Sequence, residues 1–452
     1  MTLVRKRMCA TLCTTMLLSA VLGPAPAALA ADPDDAFVAA VAAGLGQRWQ
    51  GSQAIVVRAD SEDAPGATMW LFERVNGAWR VALGPWRANV GANGVSKAAE
   101  GDKRAPSGAF LLGSAFGRVA APKGVTWPYR RTDSKDRWVD DTASPFYNSW
   151  VRSGAAAAGG GEALSKQSVY KYGIVVHYND DQTPGAGSAI FMHVWSGQGA
   201  GTLGCTAISE ANLIKTLRWL RYDKRPVLVQ GTQEQILALM QKDWGMRPLP
   251  AGWGYVDDFI PDAQIDLRYA TANNFTGAQL PGYEAAVAVL RTDAIAALRR
   301  VADKLRAKGY GLIVYDAYRP PQAVAAMEAW AKNEDSSTKA QYYPDIAAKA
   351  SLLKGYISTR STHTAGGTVD VSLVRWSTGK AVDMGGSFDF FGARSQYGFK
   401  KLNKSQTANR KLLRTTFSAA GFQPYNAEWW HFSKAQRGNG AFALGSRQAL
   451  AD

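Results

Sequence analysis

Short apolar runs broken by glycine, proline and polar turns fill residues 52–231, and helical periodicity alternating with buried strands takes over beyond residue 255. Residues 32–50 read as a helical lead-in. Ile55-Val56-Val57 and Thr68–Phe72 are bounded by turn residues and predict strands, as does Ser188–Trp195. After Ser209, a helix cap, the apolar positions Leu213, Ile214, Leu217 and Leu220 recur at helical spacing, and Val227-Leu228-Val229 predicts a closing strand. Residues 154–161, Gly-Ala-Ala-Ala-Ala-Gly-Gly-Gly, read as a surface loop. The stretch Arg247–Gly254 is punctuated by Pro and Gly, which sets a linker over 232–254. Beyond it, Thr292 is placed to cap a helix carrying Ile295, Leu298, Val301, Ala302 and Leu305. Gly309 ends that helix, and Gly311–Tyr315 follows as a buried strand. The pattern predicts two domains, 52–231 and 255–445, the first β-rich and the second α+β.

The start of the chain carries a different pattern. Arg5, Lys6 and Arg7 precede an apolar stretch that includes Met16–Leu22, and Ala28-Leu29-Ala30 ends it with small-x-small spacing. This predicts a signal peptide over 1–30 and an exported protein of the periplasm, cell wall or extracellular space. No later stretch is long enough to predict a transmembrane segment. Removing residues 1–30 takes away three basic residues and no acidic one, so the chain's +15 becomes +12. An exported cation meets anionic cell-wall surfaces. Without a dense basic block or a recognised motif, nucleic acid is not the expected partner.

Two of the three cysteines, Cys9 and Cys13, fall in the leader, so no disulfide framework is available and Cys205 stands alone with His177, His193, His363 and His431. His363 and Asp370 are seven apart with Gly366 and Gly367 between them, and His431 follows Asp370 by 61 residues. Two imidazoles and a carboxylate form the three-ligand set of a catalytic zinc, with a fourth position left for water, whose pKa such a metal lowers to ~7. Glu428, three residues before His431, is placed to take and return the proton. From spacing alone a structural role for these residues stays open. His193 precedes Cys205 by twelve residues, and Gly204 stands beside the thiol, where backbone N–H groups can face an oxyanion. A buried cysteine acting as a small hydrophobe is the competing reading.

Residues 255–434 resemble the D-alanyl-D-alanine dipeptidases of the VanX type. The resemblance runs through Asp266–Thr271, Asn274–Gly277, Pro281-Gly282-Tyr283, Tyr315–Pro320, Tyr342-Tyr343-Pro344, Ser361-x-His363-x-x-Gly366-x-x-x-Asp370, Asp383-Met384-Gly385, Phe388-Asp389-Phe390 and Glu428-Trp429-Trp430-His431. It implies one Zn2+ held by His363, Asp370 and His431, with Glu428 as general base and Arg319 stabilising the oxyanion. It implies Ser361 and Asp389 as the residues that hold the substrate's free amino group. Ala365 and Thr368 stand where the family usually has Arg and Ala, a change expected at the cavity lip. The implied substrate is free D-Ala-D-Ala, with D,D-carboxypeptidase action on larger stem peptides as the alternative.

Residues 52–231 resemble the L,D-transpeptidase (YkuD-like) catalytic domain. The carrying pieces are Glu100-Gly101-Asp102-x-x-Ala105-Pro106-Ser107-Gly108-Ala109-Phe110, Val139-Asp140-Asp141 with Tyr147-Asn148, and His193 with Gly204-Cys205. The family usually has Thr at Ala105 and His at Leu203. The resemblance implies a β-rich sandwich, Cys205 as the acyl-carrying nucleophile, His193 as its base, and peptidoglycan stem peptides as substrates. His177 is the substrate-facing candidate, with a structural role the alternative. A wall-binding domain without catalysis is the rival for this half, and a scaffold with an inactive zinc site is the rival for the other.

Overall fold

The computed structural model describes residues 33–152, 161–358 and 360–451. The expected signal peptide and residues 154–160 of the Gly/Ala-rich loop lie outside the described residues. Helix Pro33–Arg48 comes first and covers the first strand, Gln53–Ala59. That strand is buried everywhere except at Arg58, because its two faces meet different cores. Ile55 and Val57 join Met69, Leu71, Phe110 and Leu228, while Ala54 and Val56 join Phe37 and Val41 of the helix. A strand buried on both faces reads as a continuous apolar run, which is why Ile55-Val56-Val57 shows no alternation.

Strand Val227–Gly231 pairs with Gln53–Ala59 on one side and with Gly108–Gly117 on the other. The ring is completed through Gly66–Val75, Ala78–Asn89, Thr206–Ile208, Phe191–Val194 and Gly173–Val176. The N-terminal half is therefore barrel-like, not the expected sandwich. Closure satisfies the edge strands within the ring. Helix Glu210–Trp219 packs Leu213 and Leu217 into the same core as Ile55, and the Ser209 hydroxyl caps it by accepting from the Asn212 N–H.

The expected linker is packed rather than extended. Thr232 and Gln235 form a capping box on helix Gln233–Leu239, which buries Ile236 and Leu239 beside the N-terminal helix. Trp253–Tyr255 then pairs with Val289–Arg291. In the C-terminal half, one sheet runs Gln264–Ile265, Tyr310–Asp316, Thr368–Arg375, His431–Ser433, Gln423–Pro424, with Lys380–Ala381 beside Thr368–Arg375. Helices Thr292–Arg306 and Lys404–Ser418 cover it. Thr292 is the first residue of its helix, not the cap; Arg291 holds the cap position and has no side-chain cap bond.

The chain end crosses back to the barrel. Strand Gln448–Leu450 pairs antiparallel with Gly108–Phe110, so the residues after 445 join the sheet of the first half. The backbones meet closely: Gly108 has φ +152, and a Cβ there would lie 2.3 Å from the Ala449 carbonyl oxygen. Among the described residues no helix is long and apolar enough to cross a membrane.

Candidate active sites

The strand Thr368–Arg375 organises the C-terminal site. In its register Asp370 stands opposite His431 on one neighbouring strand and opposite Asp316 on the other. Paired residues share a face of the sheet, so three chain segments deliver their polar groups to one place. His363 arrives from the turn Thr362–Ala365, which Ser361 caps by accepting from the His363 N–H at 3.3 Å. Gly366 ends that turn at φ +75, and a Cβ there would meet the Trp253 ring at 2.2 Å. Only glycine gives both the left-handed backbone and the clearance.

The three expected ligand atoms converge. Asp370 Oδ1 is 3.1 Å from His431 Nδ1, Asp370 Oδ2 is 3.4 Å from His363 Nε2, and the two imidazole nitrogens are 3.4 Å apart. One ligand atom from each residue lies within 4.8 Å of the others. The outer nitrogen of His363, Nδ1, donates to the Ala317 carbonyl at 2.7 Å, which leaves Nε2 with its lone pair facing the centre. Asp370 Oδ1 is buried and has no hydrogen-bond partner. An orphaned carboxylate oxygen beside two imidazole nitrogens fits a cation, and this donor set fits zinc. Burial alone would raise the Asp370 carboxyl, but His363 and His431 hold it well below the usual carboxylate range.

Around the tripod stand the other expected residues. Glu428 Oε2 is 3.6 Å from His431 Nδ1. Burial, reinforced by the charge of Asp370 and opposed by Arg319, pushes its carboxyl up to about 8. Arg319 donates from Nε to Asp316 Oδ2 at 3.0 Å, lies 3.7 Å from Asp370 Oδ2, and stacks over the Tyr269 ring. Asp389 sits at φ +60, in the left-handed region, and accepts from the Tyr269 hydroxyl at 2.9 Å. Burial and then Asp370 push the Asp389 carboxyl well above its ordinary value. Ser361, His363, Asp370, Asp389, Glu428 and Arg319 all line one cavity of about 570 Å³.

Sequence reasoning gave no role to Asp316. It is fully buried, accepts from the Tyr283 hydroxyl at 2.6 Å, pairs with Arg319, and lies 3.3 Å from His363 Nδ1. Its place in the motif Tyr315–Pro320, three residues before Arg319, was the signal available. Thr368 is not at the cavity lip as expected; it is 1% exposed, behind His431.

The N-terminal site is built differently. Strands Phe191–Val194 and Thr206–Ile208 run parallel with His193 opposite Ala207. Cys205 directly precedes the second strand, so it shares a face with His193 but is offset by two residues, about 7 Å along the strand. No hydrogen bond joins the two among the described residues. The Cys205 thiol donates to the Ala189 carbonyl at 3.3 Å, and burial pushes it up to about 12. His193 Nδ1 donates to the Val194 carbonyl at 2.8 Å, and burial, only partly offset by that bond, pushes the imidazole down to about 4. That bond leaves the lone pair on Nε2, the nitrogen a base would use. Cys205 lies in an aromatic cluster with Phe116, Trp138, Tyr170 and Phe191, and the His193 ring packs edge-on against Tyr170. The Gly204 N–H, expected to face an oxyanion, donates to the Thr202 hydroxyl at 3.1 Å. Asp102 of the Glu100–Phe110 motif caps its own loop, accepting from the N–H groups of Ala98, Ala99 and Arg104 and from the Lys97 ammonium.

His177 does not face the Cys205 pocket. It sits between the two halves, with Nδ1 3.2 Å from Asp180 and Nε2 2.9 Å from Asp258. Arg447, beside the returning strand, joins the same cluster through Asp180 and Asp257 at 2.6 and 2.7 Å. Asp258 and Arg447 lie 81 and 270 residues from His177, beyond the reach of any local pattern.

A family model described as D-Ala-D-Ala dipeptidase, of the M15 peptidases, matches residues 251–446. The D-alanyl-D-alanine dipeptidase of Enterococcus faecalis is 39% identical over 183 residues, which are 40% of this chain and 90% of the relative. That of Streptomyces coelicolor is 36% identical over 182 residues, again 40% of this chain and 90% of the relative. That of Escherichia coli is 34% identical over 177 residues, 39% of this chain and 81% of the relative.

Proposed function

Because residues 251–446 make this chain a member of the D-alanyl-D-alanine dipeptidase family, we propose that it is an exported zinc hydrolase that cleaves free D-Ala-D-Ala to D-alanine in the periplasm or cell wall. The single observation that carries the reading is the convergence of His363, Asp370 and His431 within 4.8 Å, beside Glu428 and Arg319 in one cavity. One zinc ion, when bound, supplies Lewis acidity and an activated water at neutral pH. Glu428 takes a proton from the attacking water and returns it to the leaving amine. Its carboxyl stands at about 8, and a bound dication lowers it toward neutrality, where a group that must both take and give a proton works best. Arg319, steadied by Asp316, offers its guanidinium to the developing oxyanion.

The choice of dipeptide over longer stems rests on Asp389. Burial and Asp370 push the Asp389 carboxyl toward its neutral form against the pull of Arg319, and the charge of a free α-ammonium group restores the carboxylate. Ser361, at the cavity wall, adds an oxygen for the same group. A stem pentapeptide carries an acylated nitrogen at that position and brings no charge. Incubation of the purified protein with D-Ala-D-Ala and with pentapeptide stems, with and without a chelator, tests the reading. D-Alanine release from the dipeptide, stopped by the chelator and restored by zinc, is expected. Faster release from the pentapeptide would instead support a D,D-carboxypeptidase.

For the barrel we propose L,D-transpeptidase-like chemistry on peptidoglycan stem peptides. Cys205 carries the acyl group, His193 Nε2 takes the thiol proton, and an amine or water releases the product. Their placement on one face of adjacent strands supports this. The neutral, buried thiol bonded to Ala189 favours the rival, a wall-binding domain without catalysis. The mature charge of +12 suits either on an anionic wall.

A further inference from the structure

We propose that Ser433, backed by Thr368, is a positioning residue that fixes the tautomer and orientation of His431 so that Nδ1 faces the metal. The inference rests on the zinc reading of the tripod and concerns side chains that the reading does not use.

The two imidazoles of the site are held in unlike ways. His363 donates from Nδ1 to the Ala317 carbonyl, an acceptor only, so its Nε2 is left as the ligand atom without ambiguity. His431 is turned over: Nδ1 faces Asp370 and His363, and Nε2 lies 3.0 Å from Ser433 Oγ. A hydroxyl both donates and accepts, so Ser433 alone allows either tautomer. If Ser433 donated to Nε2, the imidazole proton would sit on Nδ1 and point at the ligand centre. Metal binding through Nδ1 requires the reverse, with Nε2–H donating to Ser433.

Thr368 is placed to favour that polarity. Its hydroxyl donates to Ser433 Oγ at 3.0 Å and takes one of the two lone pairs, while the other stands toward Nε2–H. Ser433's own proton then turns toward Thr362 Oγ1, 3.5 Å away. The sheet register makes this arrangement. Thr368 pairs directly with Ser433, and two residues on Asp370 pairs directly with His431, so all four stand on one face as a square. Two corners ligate, and the other two support. Thr368 is 1% exposed, too buried to act on substrate at the cavity lip. Its position, where alanine is usual in the resembling family, gives this chain a hydroxyl behind the ligand.

Outer partners of metal-bound imidazoles are worth about 10–100-fold in metal affinity. Zinc affinity of the full-length protein, measured by competition with a chromophoric chelator, is the test. Ser433→Ala is expected to weaken zinc by about 10–100-fold, and Ser433→Thr, which keeps the hydroxyl, to recover most of it. Thr368→Val, which keeps shape and removes the donor, is expected to give a smaller loss, and it carries the test if Ser433→Ala fails to fold. Nitrogen-15 NMR of the zinc-loaded protein adds a readout independent of activity. The His431 Nε2–H should exchange slowly in the wild type and quickly in Ser433→Ala. Zinc affinity within about twofold of wild type in both Ser433→Ala and Thr368→Val, with an unchanged exchange rate, would overturn the proposal. A wild type that binds no zinc would instead overturn the zinc reading itself, and the proposal with it.

Discussion

The tripod at Asp370 and the pair at Cys205 were both legible as motifs, yet the folded chain treats them in opposite ways. At Asp370, charged and lone-pair-bearing atoms are crowded together, and one buried carboxylate oxygen is left without a partner. Such a cluster gains stability when a cation enters. At Cys205 each polar group is satisfied locally: the thiol by Ala189, the imidazole by Val194. Burial keeps both neutral, with the thiol near 12 and the imidazole near 4. The first site is preorganised for a cation, and the second holds its thiol and imidazole neutral and locally bonded. A motif announces residue types; the folded environment decides whether they are charged.

The sharpest way to break this comparison is to remove a ligand. His363→Ala takes away one corner of the tripod and is expected to strip zinc and dipeptide hydrolysis together, a loss of at least about 10³-fold in activity. Metal analysis checks it, and retained zinc would sink the ligand assignment. Cys205→Ala is expected to leave dipeptide hydrolysis unchanged, because the zinc site has no use for a thiol.

The second contrast is read at the thiol. With its pKa near 12, Cys205 exposes little thiolate at pH 7, and alkylation is expected to run about 10³-fold slower than at a free cysteine. The rate should climb with pH and show no plateau near neutrality. A plateau near pH 7 would mean that His193 already holds the thiolate. Faster alkylation in the presence of stem peptide would mark substrate activation.

A third prediction concerns the seam. Arg447→Ala leaves Asp180, Asp257 and Asp258 gathered around His177 without the guanidinium and is expected to cost about 3–5 kcal/mol, read from the denaturant midpoint. A smaller effect belongs to His177 itself. Burial and Arg447 lower its pKa, but Asp180 and Asp258 outweigh them and raise it to about 9. Folded His177 therefore binds its proton more tightly than the unfolded chain does. The stability it contributes is fully present below pH ~6.5 and is lost as pH rises toward 9. His177→Gln should flatten that part of the stability–pH curve.

What the sequence showed and what it hid divide along the same lines. His363, Asp370 and His431 were readable because a metal site draws on few residue types, and Glu428 because it stands three residues before His431. The helix after Ser209 was readable because its cap and apolar stripe are local. Barrel closure was hidden, because Val227–Gly231 looks like any buried strand and its second partner, Gly108–Gly117, lies over a hundred residues earlier. The helix in the expected linker was masked by the Pro- and Gly-rich stretch that follows it. The strand Gln448–Leu450 is too short to carry a pattern, and its pairing is visible only through the clearance it requires at Gly108. His177 looked chemical because histidines are rare here. Its role as an ion-paired wedge depends on Asp258 and Arg447, which only the fold brings near it.

The account stands most directly on Glu428, the group proposed to move protons without holding the metal. D-Alanine release from D-Ala-D-Ala and zinc content, measured on the same samples of wild type and Glu428→Ala, test it. We predict full zinc occupancy in both and a loss of activity in Glu428→Ala of at least about 10²–10⁴-fold. Activity that survives Glu428→Ala with zinc bound would contradict the account, because another group would then be activating the water.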